Sequence, residues 1–165
     1  MAETTIMPQE AGKFIAAVLG HLGVPAEDAN TVSDCMVFAH LRGFDTHGLP
    51  CLAGYVESLE QGRMKPRPDI KFERPMPWTV QLDADNGLGH VAAHRAMMLA
   101  IESAERIGVG AAVVRRSNHF GAACCYSMLA LPKGCIGLVT SNGVAATAPV
   151  GALETFLGTT PLHSG

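Results

Sequence analysis

Four prolines, Pro66, Pro68, Pro75 and Pro77, fall within residues 65–77. Each lacks a backbone N–H and holds φ near about −65°, so the stretch excludes a helix and reads as an extended connector. It divides the chain into a helical lobe at 1–64 and a differently patterned region at 78–165. In the first part, Pro8 suits the first turn of a helix running to about Leu22, with Phe14, Ala17, Val18 and Leu22 as its apolar stripe and Gly23 as its stop. A second helix is expected over 26–42, opening with Glu27 and Asp28 and turning Ala29, Val32, Met36, Ala39 and His40 inward. On that reading His40 is a core or interface histidine. A third helix at 52–61 stops at Gly62.

Beyond the connector, the pattern alternates. Residues 78–82 read as a strand, 90–107 as a long helix, 110–114 as a short buried strand, 122–131 as a helix and 135–140 as a strand. Such alternation implies an α/β fold. After Ser141 the chain reads as a loop, and Leu162, His163, Ser164 and Gly165 carry no element that would cover an exposed edge. The sheet therefore reads as unfinished and the chain as truncated.

Composition narrows the function classes. A net charge of −3 with 16% charged residues leaves no basic footprint for nucleic acid or a membrane surface. Five cysteines without a Cys-x-x-Cys pair favour reduced thiols in the cytoplasm over a disulfide framework. The opening MAETTIMPQE has no basic region before an apolar run, and no apolar run reaches the about 18 residues of a membrane span.

Two histidines stand in glycine-flanked polar turns. His47 lies within Gly43-Phe44-Asp45-Thr46-His47-Gly48, and His119 within Arg116-Ser117-Asn118-His119-Phe120-Gly121, directly after a strand. The carboxyl end of a strand in an α/β sheet is where ligands usually bind, and histidine exchanges protons near neutral pH. His21, His90 and His94 fall at helical positions and receive no role; His163 belongs to the tail. No metal site is expected, because His90 and His94 lack an intervening glutamate and the adjacent Cys124 and Cys125 diverge on a helix. Gly87-Leu88-Gly89-His90-Val91-Ala92 matches a G-x-G-x-x-A dinucleotide fingerprint. Two carboxylates, Asp83 and Asp85, precede it where a pyrophosphate would sit, so it reads as a glycine turn into a helix.

Taken together, these segments resemble the malate/L-lactate dehydrogenase family. Arg42 to Gly48 resembles its RG-D-S/T-HG segment, with Tyr55, Leu59 and Gly62 following at the usual spacing. Asp85-Asn86-Gly87-Leu88-Gly89-His90 resembles its D-NG-GH turn. Gly108-Val109-Gly110 with Ser117 to Gly121 resembles its GVG…SNHFG signature, and Asn142, Pro149 and Gly158-Thr159-Thr160-Pro161 its N…P…GTNP stretch.

The resemblance implies an oxidoreductase that moves a hydride between NAD or NADP and a malate- or lactate-like 2-hydroxy or 2-oxo acid. It also implies a homodimer and a cofactor-binding domain, here partial, that is not a Rossmann fold. It assigns proton transfer to His47 and His119, and substrate contacts to Thr46, Arg42 and Asn118. Cofactor contacts fall to Asn142, Pro149, Thr159 and Thr160. Two departures accompany it: Cys51 stands where the family commonly has a carboxylate-gripping arginine, so that either Arg42 or Arg116 takes the task or the chain no longer binds the usual acid, and Thr160 replaces an asparagine. Family members run well beyond 165 residues. The rival expectation is therefore a non-catalytic remnant that keeps only a dimerisation or binding surface.

Overall fold

Helix α1 (Pro8–His21) starts with proline in its first turn and ends at Gly23, whose φ of +87° suits a residue without Cβ. The N–H of Gly23 bonds Gly20 O, and the N–H of Val24 reaches Leu19 O at 3.1 Å. These bonds occupy carbonyls that the helix end leaves open, and they fold Val24 onto the core beside Leu19. The structure is a computed structural model and describes residues 5–143, 145–158 and 160–165.

Helix α2 (Ala26–His40) packs along α1, with Ser33 Oγ donating to Gly12 O at 2.9 Å. Two 3-10 turns, Asp45–His47 and Leu49–Cys51, lead into α3 (Leu52–Glu60), which turns Tyr55 and Leu59 inward. His40 is not in the core of this chain. It is the last residue of α2, where the stripe meets solvent; it is exposed and lies 3.5 Å from the Asp45 carboxylate.

Within the proline-rich stretch, β1 (Lys71–Met76) is an edge strand, antiparallel to β2 (Thr79–Asp83). Pro75 falls in a register irregularity between Glu73 and Met76, a position that tolerates its missing N–H. Helix α4 (Gly89–Ile107) then crosses to β3 (Ala111–Arg115), which runs parallel to β2 in the order β1-β2-β3. The expected burial of this last strand is not observed. β3 is the other edge: Ala112 and Val114 pack towards the core, while Ala111, Val113 and Arg115 face outward.

Helix α4 joins three packed clusters. Leu88 and Val91 meet Ile15, Leu19, Met36 and Tyr55 from the helical lobe. Ala92 and Ala96 lie on Val80 and Leu82, their small side chains bringing helix and sheet close. Ala93 and Met97 pack against Ala122 and Tyr126. Complete burial of a side chain such as Leu82 contributes about 1.5–3 kcal/mol.

The single helix expected at 122–131 is split. α5 (Cys124–Ser127) gives way to a 3-10 turn, Met128–Lys133, because Pro132 disfavours helical geometry at the residue before it. The segment after Ser141 is not a plain loop. β4 (Leu138–Thr140) pairs antiparallel with β7 (Leu162–Ser164), and β5 (Ala145–Thr147) pairs with β6 (Leu157–Gly158). Residues 162–164 therefore do cover an edge, that of β4, and Ser127 Oγ holds His163 Nδ1 at 2.7 Å. Strands of two or three residues are too short to show a period of two.

Candidate active site

His47 closes the 3-10 turn after α2, and His119 lies in the loop after β3, yet their rings stack with centroids 5.5 Å apart. One nitrogen of each ring has a hydroxyl partner. Thr46 Oγ1 lies 3.0 Å from His47 Nδ1, and the Tyr55 hydroxyl lies 2.6 Å from His119 Nδ1. Nε2 is thus the ring nitrogen left on each for other chemistry. Burial, and then the charge of His47, hold His119 below the ordinary histidine value. Burial, and then Cys51, raise the Tyr55 phenol, which stays protonated at any working pH. Cys51, whose thiol is also raised by burial, donates to Thr46 O at 3.0 Å.

The loop carrying His119 is clamped to the turn before α4. Ala84 N–H bonds Arg115 O at 3.0 Å, and Asn86 N–H bonds Arg116 O at 2.8 Å. Asp85, Asn86 and Arg116 have φ of 45°, 62° and 51°, so three non-glycine residues adopt the left-handed region in two adjoining segments. Backbone strain of this kind gathers where surrounding contacts over-determine the chain, as at functional sites. Asn118 Nδ2 donates to Asn86 Oδ1 at 3.1 Å and to Gly87 O at 2.9 Å. Arg116 donates to Asp83 at 2.7 Å and to Asp85 at 3.3 Å. Arg116 holds the Asp83 carboxyl below the usual range, and Lys65 does the same for Asp85.

The two glycines of the apparent dinucleotide fingerprint are explained by the chain's own packing. A Cβ on Gly87 would meet the Pro68 ring, and one on Gly89 would overlap the carbonyls of Asn118 and His119. The close backbone approach serves the loop.

The fold brings together His47, Thr46 and His119, with Asn118 beside them in the clamp. Arg42, in the turn just after α2, folds back on that helix, its guanidinium 3.3 Å from the Phe38 ring centroid. Asn142 and Thr160 are exposed and Pro149 is half-buried, all in the segment between β4 and β7; Thr159 lies outside the described residues. Two neighbours went unassigned in the sequence. Tyr55 enters the sequence reading only with Leu59 and Gly62, as part of the family spacing, and without a role. His90, a lone polar ring among Val91, Ala92 and Ala93, is wholly buried and edge-on to Tyr55 at 5.1 Å.

A helical lobe against a small mixed sheet, with two stacked histidines at their junction, makes an α/β arrangement. A family model described as malate/L-lactate dehydrogenase matches residues 6–165, and the chain belongs to that family. L-sulfolactate dehydrogenase of Methanocaldococcus jannaschii is 42% identical over 157 residues, which is 95% of this chain and 46% of that protein. A malate dehydrogenase of Pyrococcus abyssi is 41% identical over 95% of this chain and 43% of its own length. The solved structure of malate dehydrogenase from Pyrococcus horikoshii superposes with a TM-score of 0.94 at 38% identity, over 98% of this chain and 46% of that one. The chain spans about half the length of the curated relatives it matches. Among the described residues, no helix is long and apolar enough to cross a membrane.

Proposed function

We propose that this chain carries the proton-transferring part of an NAD(P)-dependent dehydrogenase acting on a malate- or lactate-like 2-hydroxy or 2-oxo acid. The observation that carries the reading is the stacked pair His47 and His119, each with Nδ1 against a hydroxyl. Reduction of a 2-oxo acid leaves negative charge on the former carbonyl oxygen, and a protonated imidazole Nε2 beside it supplies the proton. In the oxidation direction the same nitrogen, unprotonated, removes the hydroxyl proton. The lowered value of His119 keeps that base available near neutral pH.

His119 is the proton-transferring residue in this reading, and His47, oriented by Thr46, turns its free nitrogen to the substrate. Asn118 acts by holding the loop, and Arg42 reaches the substrate carboxylate only by leaving Phe38. A bound nicotinamide nucleotide would supply or accept the hydride. Asn142, Pro149, Thr159 and Thr160 would hold it. The Asn142 amide and the Thr159 and Thr160 hydroxyls suit a carboxamide and ribose hydroxyls. The division into a helical lobe at 1–64, a connector at 65–77 and a cofactor-binding region at 78–165 belongs to this proposal. So do homodimer assembly and a cytoplasmic site of action.

The first test is a fluorescence titration of the purified chain with NADH and with NADPH. Saturable binding followed by turnover of 2-oxo acids is expected, with His119→Ala lowering turnover by about 10²–10⁴-fold. A folded chain that binds neither nucleotide sinks the reading. It would favour instead a non-catalytic module that pairs with a longer relative, a role consistent with spanning about half of the relatives' length.

A further inference from the structure

We propose that His90 is a positioning residue for His119, the buried wall against which Tyr55 and the loop carrying His119 are set. The inference deepens the reading above and takes its catalytic meaning from it. His90 is 0% exposed, and among the described residues neither ring nitrogen has a hydrogen-bond partner. A buried polar atom left unpaired is less favourable than an apolar group of the same shape, so an imidazole here calls for a reason beyond filling space.

The surroundings supply one. The Tyr55 ring stands perpendicular to His90, at 87° and 5.1 Å between centroids, while its hydroxyl faces His119 Nδ1. On another side, Gly121 adopts φ +71°, and a Cβ there would lie 2.7 Å from His90 Nε2. Gly89, the preceding residue, accommodates the carbonyls of Asn118 and His119 in the same manner. Both ends of the His119 segment therefore rest on the first turn of α4, and a flat ring defines the gap.

The groups facing His119 are His47 from the turn after α2, Tyr55 from α3 with Cys51 behind it, and His90 from α4. Burial pushes His90 down to about 3, so it is neutral and acts on His119 through shape.

The test is nitrogen-15 NMR of the histidine side chains in the 165-residue protein, with neither cofactor nor substrate. Tyr55→Phe removes the hydrogen bond and defines the Nδ1 signal of an unbonded His119. His90→Leu, of similar bulk without a flat polar ring, should carry that signal most of the way to the Tyr55→Phe position. Combining the two should add nothing further, because both remove one interaction. A His90→Leu signal that stays at the wild-type position overturns the proposal, as does a double variant equal to the sum of its parts. If His90→Leu does not fold, His90→Asn is read against the same two positions with the same consequences. Loss of nucleotide binding with this coupling intact would count against the dehydrogenase reading alone.

Discussion

The surroundings of His119 and the segment from Asn142 to Thr160 are built in opposite ways. Around His119, each position is fixed by several contacts: one glycine under two backbone carbonyls and another against the Pro68 ring, three left-handed non-glycine residues, an asparagine bridging two loops, and a buried tyrosine on the imidazole. In the later segment, Val150 and Leu153 are fully exposed, Phe156 nearly so, and the β5–β6 pair holds itself by a short ladder. Within this chain, the proton-handling part of the proposed site is rigid by construction. The proposed nucleotide contacts lie on a part that draws little from its own core. Acid–base geometry and cofactor affinity should therefore respond independently to change.

Acid should reveal the largest difference. His90 is held neutral when folded, down to about 3, but takes up a proton near its ordinary value of 6.5 when unfolded. The unfolded state then binds more protons, so stability present above pH 6.5 is lost as pH falls towards 3. The full effect is on the order of a few kcal/mol, because each tenfold difference in proton affinity between the two states corresponds to about 1.4 kcal/mol. Denaturant midpoints from pH 7 to 4 should fall more steeply for wild type than for His90→Leu. Parallel profiles would show that His90 is not the source.

Gly89→Ala should come next. Its Cβ would overlap two backbone carbonyls that cannot move without unseating His119, so a loss of about 1–3 kcal/mol is expected in urea unfolding. A loss below that range would mean the loop is more adaptable than its contacts imply, and the comparison would weaken. The smallest effect belongs to the other region. Leu153→Asp, at a side chain 102% exposed, should change stability by less than about 0.5 kcal/mol. A larger loss there would reveal a contact that the chain makes in solution through this surface, and would end the contrast.

Much of this was legible in the sequence where order is local. The caps at Pro8 and Gly23, the span of α4, and the two histidine turns with their glycines follow from propensity, period and punctuation along the chain. So does the family, because separate short motifs occur in a consistent order. The exposure of His40, the edge position of β3, and the pairing of β4 with β7 were not legible. Each depends on which distant segment lies alongside: Leu138 meets Ser164, and Asp45 rather than the core meets His40.

The site divides along the same line. The sequence by itself determined that His47 and His119 sit in glycine-flanked turns with Thr46 and Asn118 as neighbours. Only the tertiary structure decided that the two rings stack, that Tyr55 takes the Nδ1 of His119, and that His90 lies buried edge-on to Tyr55. A turn is specified by a few adjacent residues. A hydrogen bond between positions 55 and 119 exists only after α3, α4 and the loop beyond β3 have packed on one another.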